Sequence, residues 1–277
     1  NLGLPDIDEQ DLMVRTIREF QGLVDLPLQI DSSKSKVIEK ALRYYPGKAI
    51  INSVNGKEKS MDRIFPLAKK YGALCVALLM DERGLPKSVE ERVEIADKLV
   101  VKAKSFGLRE EDLIIDTLVL TASAQQKEVY DTLEAIKIIK EKYKVKTVLG
   151  VSNVSFGLPK RSLITRTFFT LALNYGLDSA IMDPLDKGMQ EALYTFNVLA
   201  NNDVGAESYI NYCAGIEDDT KTVVDVSQLS LSDLVIKGLK SDVHNLTLEL
   251  LKSVSPLDIV NDQLVPALDA VGIDFGK

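Results

Sequence analysis

"LIIDTLVLTASAQQKEVYDTLEAIKIIKEKYKVKTVLGVSN", residues 113–153, holds one whole strand–helix–strand unit. Its ends are "LII" before Asp116 and "TVLGV" before Ser152 and Asn153. Both are continuous apolar runs rather than alternating ones, the pattern of parallel strands covered on both faces. Between them, "EVYDTLEAIKIIKEKY" places Val129, Leu133, Ile136 and either Ile138 or Ile139 along one helical stripe. Outward from this unit the pattern repeats. "LPLQI" precedes Asp31, "KAII" precedes Asn52, "ALCVALLM" precedes Asp81 and "SAIM" precedes Asp183. "SKVIEKALRYY" aligns Val37, Ile38, Leu42 and Tyr45. "SVEERVEIADKLVVKAKSFG" aligns Val93, Ala96, Leu99, Val100 and Ala103 and closes on Gly107.

Six β/α units in series require a parallel sheet with helical crossovers. A doubly wound open sheet and a closed barrel both satisfy that. A glycine-rich dinucleotide fingerprint is absent, which weakens the first. Nearly every apolar run ends in Asp or Asn, as expected where strand ends converge on the mouth of a barrel. The expected fold is therefore α/β, a (β/α)8 TIM barrel lacking its N-terminal strands, followed by a short all-α segment. The chain opens in mid-pattern, so the missing strands are expected before Asn1.

The barrel is expected over residues 1–212. "DVGAESYINYCAGIEDDTKTVVDVS" is polar and turn-rich and reads as a tail or linker, with the linker proper at 213–228. Residues 229–277 read as the first helices of a further module. There Ser232 is the expected N-cap of one helix and Ser255, followed by Pro256, that of another. Pro266 is expected to bend or divide the second.

The chain has 277 residues, 45% hydrophobic and 27% charged, with a net charge of −7. The acidic balance argues against a nucleic-acid partner. No apolar run is long enough to span a bilayer. The two cysteines, Cys75 and Cys213, are far apart and form no metal-binding pattern, which fits a reducing, cytoplasmic setting. The single histidine, His244, lies in a helical stretch, so triads that need histidine are disfavoured. No metal site is expected within the chain.

The polar strand ends carry the chemistry. Asp31 and Asp116 are carboxylates; Asn52 and Asn153 are amides. Converging on one mouth, they suit a flat heterocycle with several N–H groups and ring nitrogens, because a carboxylate accepts two parallel hydrogen bonds and an amide both donates and accepts. Each has an ordinary reading beside this one. Asp31 equally serves as a helix cap, as do Ser32 and Ser33. Asn52 leads into an Asn55-Gly56 turn, Asp81 sits in a charged loop where solvation is the usual state, and Asp183 before Pro184 reads as a turn start. Asp116, flanked by apolar residues, is expected to be buried and to need a partner.

The segments "IDSS", "INSVNGKE", "IDTLVLTASAQQ", "KTVLGVSNVSFGLPKRSLITRTF" and "GLDSAIMDP" together resemble the pterin-binding barrel of methyltetrahydrofolate–corrinoid methyltransferases. The resemblance runs from Asn1 to about Asn201. The stretch "LSDLVIKGLKSDVHNLTLELLKSVSPLDIVNDQLVPALDAVG" resembles the opening helices of the cap that precedes a cobalamin-binding domain. The family's first strand motif is absent, and of its second only the final Asn survives, as Asn1.

The resemblance implies binding of methyltetrahydrofolate and transfer of its methyl group to cobalt(I) cobalamin, within methionine synthesis from homocysteine. Asp31, Asn52, Asp116, Asn153, Arg161 and Asn1 would bind the pterin, and Asn153 would also be catalytic, approaching the nitrogen that carries the methyl group, with Arg161 in the same loop. Cobalamin would be held by a neighbouring domain, and a zinc-dependent homocysteine domain would lie upstream. The other readings are a dihydropteroate synthase-like enzyme and a non-catalytic folate-binding or docking module.

Overall fold

The structure, a computed structural model, describes residues 2–3, 7–214, 229–236 and 239–275. It divides into two compact units, 1–212 and 213–277. The first unit carries six strands, β1 (Gln29–Asp31), β2 (Ile50–Asn55), β3 (Leu74–Leu78), β4 (Leu113–Asp116), β5 (Lys146–Leu149) and β6 (Ser179–Ala180). All neighbours pair in parallel, in the order β1 to β6 without reversal. A doubly wound sheet reverses direction after its first strands; this one does not, so right-handed crossovers keep the helices on one face and the sheet curls into a half-barrel.

The helices are α1 (Glu9–Gln21), α2 (Ser35–Tyr44), α3 (Glu58–Tyr71), α4 (Val89–Ser105), α5 (Gln126–Tyr143), α6 (Arg161–Asn174), α7 (Lys187–Leu199) and α8 (Glu207–Ala214). Two apolar clusters support them. Ile30, Ile51, Cys75, Ala77, Leu113 and Ile115 of the strands pack with Ile38, Phe65 and Leu99 of the helices. Leu133, Ile136, Leu149, Phe168 and Phe169 form the second. Of the two isoleucines left open by periodicity, Ile139 is fully buried and Ile138 is exposed. Ile139→Val should therefore lower stability by about 0.5–1.5 kcal/mol, and Ile138→Val by less than about 0.5 kcal/mol, in urea denaturation.

Several elements differ from expectation. Helix α1 was not foreseen, although Asp8 caps it by accepting from the backbone N–H of Gln10 (3.0 Å) and Asp11 (3.3 Å), and Met13, Val14 and Ile17 form its buried stripe. Helix α8 lies in the stretch read as tail or linker. Asp203 accepts from the N–H groups of Ser208 (3.1 Å) and Tyr209 (2.9 Å), and Tyr212 stacks on Tyr194 of α7 at 4.3 Å. Polar composition hid these anchors. The rest of the expected linker, 215–228, lies outside the described residues.

The second unit contains α9 (Leu231–Ile236), α10 (Lys240–Leu250), α11 (Pro256–Ile259) and α12 (Val265–Phe275). Ser230, not Ser232, caps α9. Its hydroxyl accepts from Asp233 N–H (3.2 Å) while Asp233 accepts from Ser230 N–H (3.0 Å), a reciprocal capping box. The Ser232 hydroxyl instead donates to the Gln263 carbonyl (3.0 Å). Ser255 caps α11 with Pro256 at the first position, as expected. A π-helical turn, Val260–Leu264, separates α11 from α12 just before Pro266, whose missing N–H cannot continue the regular ladder. Among the described residues no helix is long and apolar enough to cross a membrane.

Candidate functional site at the carboxyl ends of the strands

Parallel pairing brings the polar strand ends to one end of the sheet. Asp31 is in register with Asn52, and Asp116 with Leu78 and Val148. The Asn52 Nδ2 donates to Asp31 Oδ2 at 3.4 Å, and both residues line a cavity of about 660 Å³ with Glu9, Ser32 and Ser53. Strand β2 does not stop at Asn52. It continues to Asn55, with an irregular register between Asn52 and Val54, so Asn52 is presented from within a paired strand. Asn55 then closes a turn by accepting from Lys57 N–H (3.1 Å).

Asp116 ends β4 and is 8% exposed. Burial pushes its carboxyl up to about 7, against the pull of a single hydrogen bond from Leu118 N–H (2.9 Å). An acceptor with one backbone donor keeps lone pairs available for a ligand.

Asn153 is not on a strand. Strand β5 stops at Leu149, and residues Val151–Ser155 form a 3-10 turn. Val151 and Val154 are buried at its two ends, each worth about 1.5–3 kcal/mol of apolar burial, and Ser152 and Asn153 are exposed between them. The apolar run "TVLGV" reads as strand to its end, but the strand stops at Leu149; Val151 is as buried as a strand residue while belonging to the turn, so apolarity alone does not separate the two. The Asn153 side chain makes no hydrogen bond among the described residues. Its Nδ2 lies 3.1 Å from where a Cβ on Gly150 would stand, so glycine there gives the amide its room.

The turn is braced from two sides. Arg161, the first residue of α6, donates from Nε to the Ser155 hydroxyl (3.1 Å) and from Nη2 to the Ser152 carbonyl (2.9 Å), with its guanidinium 5.6 Å from the Phe156 ring centre. From the β4–α5 loop, Ala122 N–H donates to the Val154 carbonyl (2.9 Å) and the Thr121 and Ser123 hydroxyls donate to that of Phe156 (2.5 and 3.2 Å). Arg161 thus holds the turn that carries Asn153.

Asn1 lies outside the described residues. Asp81 is buried rather than solvated. Arg83 donates to it from Nε and Nη2 (3.0 and 2.9 Å), which holds its carboxyl below the usual carboxylate range. Asp183 starts a turn, accepting from Leu185 N–H (2.9 Å). Two residues of the site were missed. Glu9, buried at the start of α1, accepts from the Ser32 hydroxyl (2.6 Å) and pairs with Lys34 (3.0 Å); these bonds lower its pKa, and it lines the cavity beside Asp31. Its only signal was its place in the first turn of the unrecognised α1. The other lies behind Asp116 rather than among the lining residues: Arg92, fully buried in α4, donates to the Thr117 carbonyl, although a cation in a helical repeat reads as solvent-facing.

The comparisons with known proteins follow the same division. A pterin binding enzyme model matches residues 4–183, and a B12 binding domain model matches residues 229–277. A methylcorrinoid:tetrahydrofolate methyltransferase of Eubacterium limosum is 33% identical over 66% of this chain and 69% of its own. A methionine synthase of Mycobacterium tuberculosis is 28% identical over 91% of this chain, which spans 24% of that protein. Among solved structures, dihydropteroate synthases share the fold. That of Yersinia pestis superposes with a TM-score of 0.57 at 15% identity, covering 72% of this chain and 78% of its own. That of Thermus thermophilus gives 0.53 at 18% identity, covering 72% and 80%. A parallel half-barrel with polar residues at its strand ends, matched over most of its length by one family model, places this chain in the pterin binding enzyme family.

Proposed function

We propose that this chain binds methyltetrahydrofolate at the carboxyl ends of its strands and transfers the methyl group to a cobalt(I) corrinoid. The observation that supports this best is the Asp31–Asn52 pair above the cavity, with the under-bonded Asp116 carboxyl at the same end of the sheet. Such a set complements the N–H-rich edge of a pterin. Asp31 and Asp116 accept; Asn52 donates or accepts.

The corrinoid supplies the nucleophile that receives the methyl group. The rest falls to the protein. Transfer breaks the bond between the methyl carbon and the folate nitrogen, which keeps the electron pair. An unprotonated tertiary amine is a poor leaving group, so the nitrogen must be protonated to leave as a neutral amine. The Asn153 Oδ1 can accept from the N–H⁺, and after a rotation Nδ2 can serve the free amine. The amide therefore favours the protonated state near the transition state, with the proton drawn from solvent. A site without histidine or a reactive thiol is adequate for this chemistry. Cys75 is buried, which pushes its thiol up to about 12.

The second unit fits a corrinoid partner by its chemistry. Leu248, Leu251, Leu257, Val260 and Leu268 are exposed, which suits contact with an apolar macrocycle or the domain that holds it. The same reading makes homocysteine the final acceptor, delivered by a zinc domain outside this chain, in a cytoplasmic setting. A dihydropteroate synthase-like activity is the second reading, favoured by the structural neighbours. Incubation with methyltetrahydrofolate and added cobalt(I) cobalamin should give methylcobalamin, followed by its absorbance. Folate binding without transfer would make the chain a binding module, and condensation of a pterin pyrophosphate with aminobenzoate would establish the second reading.

A further inference from the structure

We propose that Arg92 is a positioning residue for the Asp116 carboxylate, acting through the peptide group between Thr117 and Leu118. The proposal rests on reading Asp116 as a folate ligand, and it adds a residue on a different helix to that site.

Arg92 lies in α4 and is 0% exposed. Its guanidinium has no carboxylate in salt-bridge contact among the described residues. It donates instead from Nε to the Thr117 carbonyl (3.2 Å), from Nη1 to the Ser88 carbonyl (3.2 Å) and from Nη2 to the Thr132 hydroxyl (3.4 Å). A buried cation is a large commitment when its partners are neutral. Burial lowers its pKa, opposed by the charges of Asp131, Glu128 and Glu91, and an arginine stays protonated regardless.

The Thr117 carbonyl and the Leu118 N–H belong to one planar trans peptide, so they point in opposite directions. Arg92 grips the oxygen end. The N–H end donates to Asp116 Oδ1 at 2.9 Å. Holding one end therefore aims the other. The Thr132 hydroxyl, which accepts from Arg92, has one proton, and the Glu128 carbonyl (2.9 Å) takes it in preference to the Leu118 carbonyl (3.3 Å), so the grip on this loop falls to Arg92. Leu118 needs that grip, because it sits at φ 58°, a left-handed conformation that a leucine adopts only when its surroundings impose it. The Thr117 side chain does not contribute, as its buried Oγ1 has no hydrogen-bond partner among the described residues. The planar guanidinium reaches its three partners from three fixed nitrogens, whereas a lysine ammonium donates from one point on a flexible stem and cannot reproduce that spread.

The test is Arg92→Lys in two backgrounds, the natural chain and Asp116→Asn. A carbon-13 NMR titration of the Asp116 carboxyl, which needs no ligand, should show its midpoint rise in Arg92→Lys as the Leu118 N–H loses its aim. An unchanged midpoint overturns the proposal whether or not the chain binds folate. Calorimetry with methyltetrahydrofolate should show affinity about tenfold weaker in Arg92→Lys and no further loss when Asp116 is already Asn. Equal losses in both backgrounds would make Arg92 a general stabiliser and also overturn it. Ile139→Val, which lowers stability away from the loop, should leave affinity unchanged. If Arg92→Lys fails to fold, Thr132→Val removes the hydroxyl that accepts from Arg92 and so loosens its guanidinium, and it should raise the same carboxyl midpoint; an unmoved midpoint there counts against the proposal. Failure of the natural chain to bind methyltetrahydrofolate would remove the functional reading and leave the NMR result to decide the role of Arg92.

Discussion

Asn153→Ala should slow methyl transfer by roughly a hundredfold to a thousandfold, about 2.7–4 kcal/mol in the chemical step, while affinity for methyltetrahydrofolate changes far less. The asymmetry follows from what the amide serves. In the ground state the methylated nitrogen is a neutral tertiary amine with little to offer an amide. Near the transition state it carries a proton and a departing methyl group, and on the proposed reading the Asn153 oxygen accepts that proton's hydrogen bond. The lower part of the range is expected, because Asn153 is exposed and water can replace part of what is lost. The amide is also preorganised at little cost, since Val151 and Val154 anchor the turn and Arg161 ties it to α6. Single-turnover kinetics separate chemistry from binding. If the chemical step is unchanged and affinity falls by the full amount, Asn153 is a binding residue and the proton-handling role is wrong.

Asp116→Ala should weaken methyltetrahydrofolate binding by about 1.5–3 kcal/mol, the range for hydrogen bonds to a charged group. Asp116→Asn keeps the shape and removes the charge, so it isolates the electrostatic part. The pH dependence carries the sharper signature. In the free protein the Asp116 carboxyl titrates at about 7, above its ordinary value of 3.8, because it is buried with one backbone donor. Pterin donors favour the carboxylate. Below pH 7, binding must therefore release a proton, and affinity should rise with pH until about 7 and then level. Stability runs the other way. The folded state holds this proton more tightly than the unfolded chain, so the contribution is fully present below about pH 4 and lost as pH rises through about 7. Asp116→Asn should abolish both trends, giving a chain that binds folate less well yet loses no stability between pH 5 and 8. Calorimetry in buffers of different ionisation enthalpy reads the proton release, and urea titrations at the two pH values read the stability. Pterin binding that is independent of pH in the natural chain would remove Asp116 from the ligand's contacts.

The site was partly legible because two of its residues terminate strands. Asp31 and Asp116 stand where apolar runs end, and parallel strands must bring those ends together. Asn153 was legible in the same way, as a polar residue after an apolar run, and the resemblance gave it and Arg161 their expected roles. Neither route showed that Arg161 is spent on the Ser152 carbonyl and the Ser155 hydroxyl, which makes it a brace. Glu9 escaped notice because its helix did, and a carboxylate in the first turn of a helix usually faces solvent. Here Ser32 and Lys34, more than twenty residues away, turn it into the wall of a cavity.

The division has a physical cause. Periodicity reports which side of an element is apolar, and it was enough to specify six parallel strands and several of the helices between them, while the choice of a barrel over a doubly wound sheet needed the polar strand ends and the missing glycine-rich fingerprint. It reported Ile136 and Leu133 correctly and left Ile138 and Ile139 open, because adjacent residues on a helix differ by only 100° and the neighbouring surface decides between them. It carries no information about partners distant in sequence. Arg92 is the clearest case. Within "SVEERVEIADKLV" it is one more charged residue on a helix, but folding sets its guanidinium among the Ser88 carbonyl at the cap of its own helix and two partners distant in sequence, the Thr117 carbonyl after β4 and the Thr132 hydroxyl of α5. The same holds for the carboxyl of Asp116. Its identity and its place at a strand end are local facts, whereas its desolvation, and hence its proton affinity, exist only once the surrounding chain has excluded water from it.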